Sequence, residues 1–239
     1  MEPRAATTYS GGHSDDVDYV AWNPTHPELF CTSSQKDKRI VFWDARRTSS
    51  REFTALWTFL TAMTESRYIQ QVPLKVSPVQ VNYAPDGKSL LYVSGGNSLF
   101  FMTYGTTTEE IKPEGKSALL KEWQVSDRDT VRPGSTAIFN HLGDGVIVTH
   151  HQEHTLRVMD YPSLTVRESP AAHVGGCIAV ALDPRGKYLA SGGADSIVNI
   201  FDLNDWICAR TITVCECVPC AFVSYVFDRY FFIDLALTP

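Results

Sequence analysis

The sequence predicts an all-β chain built from about four repeats of a four-stranded sheet. Three observations predict it. Short apolar runs alternate with period two; Pro/Asp/Gly turns recur between them; and one Ser–acid–aromatic spacing occurs twice. In "SSQKDKRIVFWDA" (33–45) that spacing is Ser33, Asp37, Trp43, and in "SGGADSIVNIFDL" (191–203) it is Ser191, Asp195, Phe201. Self-similarity of this kind decides the architecture before any single motif does.

The strands follow in order. The first copy reads "DYVAWNP", "ELFCTSS", "RIVFWDA"; the second "PVQVNYAPDG", "SLLYVSGG", "SLFFMTY"; the third "STAIFNHLGDG", "VIVTHH", "TLRVMDY"; the fourth "CIAVALDPRG", "KYLASGG", "IVNIFDL". In "APDG" (84–87) Pro85 presets φ, Asp86 can bond back to the backbone and Gly87 accepts positive φ. "DPRG" (183–186) repeats that chemistry, and "SGGN" and "SGGA" reverse the second strand into the third.

The anchors Trp43, Thr103, Met159 and Phe201 lie 60, 56 and 42 residues apart. The last interval fits a four-stranded repeat of ~40–45 residues, and the longer ones imply surface insertions around 46–70 and 105–118. Repeats are therefore expected over 9–213, at approximately 9–60, 70–125, 126–170 and 171–213. The grammar stops near Cys215, and no glycine follows Gly193. Residues 214–239 are read as an atypical tail, consistent with a change of reading frame, and the whole as a partial set of repeats.

Composition narrows the function classes. Of 239 residues, 44% are hydrophobic and 20% charged, which suits a globular chain with a sizeable core. A net charge of −6 disfavours free-standing binding to nucleic-acid phosphates, so RNA contact is expected to be indirect or local. No apolar stretch follows Met1, so no signal peptide is expected. "AFVSYVFDRYFFIDLAL" (221–237) carries Asp228, Arg229 and Asp234 and falls short of the ~20 residues a membrane helix needs. Five of the six cysteines lie between Cys177 and Cys220, which is no disulfide framework, and a reducing compartment is expected.

Several motifs invite chemistry. Ser33/His13/Asp37 and Ser191/His173/Asp195 suggest a hydrolase, but a catalytic triad is made once, beside an oxyanion hole, and this set recurs. In "HHQEH", His150 and His151 would point to opposite faces of a strand, with His154 in the hairpin. "CECVPC" offers Cys215, Cys217 and Cys220 with no fourth ligand at zinc-like spacing. "RRTSSR" (46–51) is a basic loop, and phosphate-binding, dinucleotide and zinc-protease motifs are missing from the sequence. No catalytic, cofactor or metal site is assigned, and no small-molecule substrate.

These residues resemble the WD40-repeat β-propeller family. "GGH" ending at His13, then Ser33, Asp37 and Trp43–Asp44, match its Gly-His to Trp-Asp pattern; His173, Ser191, Asp195 and Phe201–Asp202 match it with Phe for Trp. The third copy is looser (Thr149, Glu153, Met159), and the second is degenerate (Val93, Asn97, Thr103). The resemblance implies a partial propeller of about four blades. It also implies two structural tetrads, His13/Ser33/Asp37/Trp43 and His173/Ser191/Asp195/Phe201. More narrowly, "WNPTHPELF" and "YPSL" resemble the WD40 subunits of the THO/TREX mRNA-export complex. That implies a nuclear, non-enzymatic scaffold binding other protein subunits. The alternative is a different WD40 adaptor, a chromatin or ubiquitin-ligase module that reads peptides.

Overall fold

In the computed structural model the described residues are 9–46, 68–95, 98–104, 119–125 and 135–213. They form sixteen strands and, among the described residues, no helix. The first sheet is β1 (Tyr19–Trp22), β2 (Leu29–Ser34), β3 (Arg39–Asp44) and β4 (Tyr68–Pro73). The second is β5 (Pro78–Tyr83), β6 (Ser89–Ser94), β7 (Leu99–Tyr104) and β8 (Leu119–Val125). The third is β9 (Ser135–Phe139), β10 (Gly145–His150), β11 (Arg157–Asp160) and β12 (Val166–Glu168). The fourth is β13 (Cys177–Leu182), β14 (Tyr188–Gly193), β15 (Val198–Asp202) and β16 (Cys208–Ile212). In each, strands consecutive in the chain are neighbours in the sheet. Such four-stranded meanders are the blades of a β-propeller.

One boundary needs correcting. β4 pairs with β3, Ile40 opposite Val72, so the first sheet runs to Pro73 and does not end near residue 60. Residues 47–67 of the expected first insertion, the expected insertion at 105–118 and the tail at 214–239 lie outside the described residues.

The chain divides into two compact units, Met1–Gly95 with Phe100–Trp123, and Gly96–Leu99 with Gln124–Pro239. In the first, β5 packs against β1 and β2. Cys31, Ile40 and Phe42 of the first sheet meet Val81, Leu90, Tyr92 and Met102 of the second. Period-two alternation sends Tyr19 and Ala21 of β1 to that core and leaves Val20 and Trp22 exposed on the other face. Each large apolar side chain so buried contributes about 1.5–3 kcal/mol.

The turn "NPTHP" joins the same two sheets by polar contacts. Asn23 Oδ1 accepts from the Thr25 amide and hydroxyl and from the His26 amide, while its Nδ2 donates to Gly87 O at 2.8 Å. Gly87 has φ +69°, and a Cβ there would run into Thr25 Oγ1. Only glycine fits both the turn and the approach.

In the second unit β13 packs against β9 and β10. Ile147 and Leu156 of the third sheet and its following hairpin meet Cys177, Leu189 and Phe201 of the fourth.

Candidate functional site

The repeated polar residues assemble at the end of each matching sheet where the lead-in loop meets the β2–β3 or β14–β15 hairpin. In the first sheet Trp43 Nε1 donates to Thr32 Oγ1 at 2.7 Å, and Thr32 Oγ1 lies 2.7 Å from His13 Nε2. His13 Nδ1 lies 2.9 Å from Asp37 Oδ2. A carboxylate only accepts, so Nδ1 carries the proton and Nε2 accepts from the threonine hydroxyl. The chain of donation runs Trp43, Thr32, His13, Asp37. Asp37 also accepts from the Ser14 and Arg39 amides and so ties the lead-in loop to the hairpin.

Gly12 makes room for this set. A Cβ on it would come within 2.6 Å of the Trp43 ring, and its carbonyl accepts from Gln71 Nε2 at 2.7 Å.

In the fourth sheet Ser191 Oγ lies 2.9 Å from His173 Nε2, and His173 Nδ1 lies 3.1 Å from Asp195 Oδ1. Asp195 accepts from the Val174 and Ile197 amides. Burial opposes its ionisation, but His173 and those two amides outweigh burial and hold its carboxyl below the ordinary carboxylate range. Phe201 offers no donor, so this relay has three members. Asn199 Nδ2 donates to Ala172 O, taking the part that Gln71 plays in the first sheet.

The structure brings together His13, Asp37 and Trp43, and likewise His173, Ser191 and Asp195 beside Phe201. It does not bring Ser33 to the first set. Trp43 pairs with Phe30, so Phe30 and Thr32 share its face of the sheet, whereas Cys31 and Ser33 point to the other. Ser33 is wholly buried, and its hydroxyl has no hydrogen-bond partner among the described residues. Thr32 therefore replaces Ser33.

The same parity applies to the third copy. Met159 pairs with Val146, which puts Val148 in the hydroxyl position. Thr149 bonds instead to the Thr136 hydroxyl, and Glu153 pairs with Arg157 at 2.9 Å. No relay forms there among the described residues. In the second copy Val93 and Thr103 lie on β6 and β7, and Asn97 is outside the described residues.

The remaining histidines of "HHQEH" are placed individually. His150 is buried and its Nδ1 accepts from the Gln152 amide, His151 is exposed beside it, and His154 Nδ1 donates to His173 O at 3.1 Å. Among the described residues no group of three or more His, Cys, Asp or Glu is arranged to hold a metal ion. Cys215, Cys217 and Cys220, and all of "RRTSSR" beyond Arg46, lie outside the described residues.

The Asp–His–hydroxyl order looks like that of a hydrolase, but access decides the chemistry. Ser191 is 0% exposed, and Thr32 is buried under the Trp43 indole, so no substrate carbonyl can reach either oxygen. Each relay clamps a loop to a hairpin. Buried polar atoms must be paired as a group, because one left unpaired costs about 1–3 kcal/mol.

A lead-in His, a buried hydroxyl, a hairpin Asp and an aromatic near the strand's end, set twice in four-stranded meanders, define a class. The chain carries WD40 repeats: the family "WD domain, G-beta repeat" matches residues 5–44 and 165–202, the segments that hold the two relays. Among individual proteins it is similar to "THO complex subunit 3" of Arabidopsis thaliana, with 32% identity over 86% of this chain and 54% of that protein. It is also similar to "WD repeat-containing protein AAC3" of Dictyostelium discoideum, 24% identical over 91% of the chain and 39% of that protein. "Striatin-4" of Homo sapiens is 26% identical over 89% of the chain and 25% of its own length. The chain thus spans about half or less of the length of these relatives.

Proposed function

We propose that the chain is a non-catalytic scaffold for protein–protein interaction, acting as a THO-type subunit in nuclear mRNA packaging and export. The observation that carries this reading is the similarity to THO complex subunit 3, 32% identical over 86% of the chain. The sealed hydroxyls support it from the side of chemistry, because Thr32 and Ser191, whose relays resemble that of a nucleophile, are closed to substrate. The partners on this reading are other subunits of a THO/TREX-type assembly, with RNA touched indirectly or locally, as a net charge of −6 favours. No cofactor and no small-molecule substrate enter the proposal.

The striatin similarity favours a second reading, a WD40 adaptor other than a THO-type subunit, for which a peptide-reading chromatin or ubiquitin-ligase module is the alternative. Affinity purification of the tagged chain, with the recovered proteins identified by mass spectrometry, separates the two. Recovery of THO subunits from a nuclear extract is the expected result. Recovery of chromatin or ligase components in their place overturns the first reading.

A further inference from the structure

Resting on the reading of the chain as a protein-interaction scaffold, we propose that the turn end of the second unit is its docking surface. The partner it fits is an amphipathic segment carrying Lys or Arg beside its apolar side chains. Four turns meet at that end, β9–β10, β11–β12, β13–β14 and β15–β16. Short contacts bind them together: the Tyr161 amide donates to Asp144 O, the Leu203 amide donates to Lys187 O, and Gly186 sits against His141 with no space for a Cβ.

The end is unusually apolar for exposed turns. Of the four large hydrophobic residues exposed among the described residues of the second unit, three lie there: Leu142 at 80%, Ile207 at 64% and Val166. The fourth, Val174, lies at the opposite end, in the loop that holds the relay. Exposed apolar residues gathered at one end of a unit favour an interaction site there.

The backbone adds an independent observation. Leu164 (φ 57°) and Trp206 (φ 53°) hold left-handed conformations at matching places, each amide donating to the carbonyl of an Asp four residues before it. Glycine or asparagine adopts that conformation with less strain than a bulky residue. Both turns keep a large apolar side chain there instead. Trp206 leans on the sheet core, which leaves the adjoining Ile207 outside.

Charge selects the occupant. Arg167 is shared between Asp160 and Asp144, and Lys187 lies over the Tyr188 ring with Asp183 and Asp202 near it. With Arg185 and Asp205 counted, five carboxylates face three cations, a surplus of two negative charges. That surplus attracts a basic segment and repels an acidic peptide or a nucleic-acid backbone.

The test uses the full chain and a labelled amphipathic Leu/Lys peptide, followed by fluorescence anisotropy. Its controls are a Leu/Glu peptide of the same spacing and a single-stranded RNA oligonucleotide. Leu142→Ser with Ile207→Ser is expected to weaken Leu/Lys binding at least tenfold. Val174→Ser, at the opposite end, leaves it unchanged. Equal binding by the double variant overturns the proposal, and so does equal affinity for the Leu/Glu peptide or the RNA. Both substitutions are at exposed positions, and a thermal melt matching the parent's shows that the double variant is folded. The functional reading is tested separately by which proteins purify with the parent chain. Recovery of THO subunits undiminished in the double variant overturns this surface and leaves that reading standing.

Discussion

The two relays differ by one donor. In the first sheet the Thr32 hydroxyl accepts from the Trp43 indole and serves His13; in the fourth, Phe201 brings no N–H and the Ser191 hydroxyl serves His173 alone. The hydroxyl is thus worth what its removal would orphan, and the difference teaches that the same motif position carries unequal weight in two copies. Thr32→Val preserves volume but strands two buried polar groups. At about 1–3 kcal/mol each it is expected to cost about 4 kcal/mol. Ser191→Ala strands one and is expected to cost about 2 kcal/mol. Urea unfolding of both variants checks the ratio; equal losses would break the comparison.

The lead-in loops sharpen it next. Gly11 and Gly176 both have positive φ, +84° and +86°. A Cβ on Gly11 meets nothing within 4 Å, whereas one on Gly176 collides with the His151 carbonyl, a backbone atom that cannot step aside. Gly11→Ala carries only conformational strain, about 1 kcal/mol. Gly176→Ala adds overpacking and is expected to reach about 3 kcal/mol. Thermal melts distinguish them, and a Gly176→Ala loss no larger than that of Gly11→Ala would show that the fourth lead-in loop moves freely.

A smaller effect concerns acid. Asp195 is held below the ordinary carboxylate range, so its ionised form stabilises the fold above the unfolded carboxylate pKa of about 3.9. That contribution is lost as pH falls through the lower, folded value. Asp195→Asn is therefore expected to lose less stability than the parent between pH 6 and pH 3. Urea midpoints at the two pH values measure it, and parallel losses would mean that Asp195 is not the group responsible.

Much of this was legible before any coordinates. Alternation and turn chemistry predict the sheets because they report which face of each strand is wet. The six-residue step from Asp37 to Trp43 recurs from Asp195 to Phe201, each aromatic standing one residue before the Asp that ends its strand. The step before the hairpin does not recur: Thr32 to Asp37 is five residues and Ser191 to Asp195 four. Matching the serines by distance to Asp therefore lands on Ser33, one residue along, and a slip of one flips a side chain to the other face. Strand parity with Phe30, opposite Trp43, was the signal that could have found Thr32. The Gln71 and Asn199 clamps were not legible, because Gln71 lies on β4, which carries no motif, and Asn199 lies on β15 outside the repeated Ser–acid–aromatic positions. Nor was the apolar turn end of the second unit, since exposure is a property of the folded chain.

The smallest expected effect is the most discriminating. Ser33 and Thr32 are adjacent hydroxyls in β2, both buried, and spacing alone favours the serine. If Ser33 held the relay, Ser33→Ala would orphan His13 and the indole and cost as much as Thr32→Val. Its hydroxyl instead lies buried with no partner among the described residues, where an unsatisfied polar group is itself a burden on the fold. Removing it takes away that burden and opens only a small gap. Ser33→Ala is therefore expected to be neutral or to stabilise by up to about 1 kcal/mol. A measured loss above about 1 kcal/mol in urea would show that Ser33 has a polar partner and would reopen the register of the first relay.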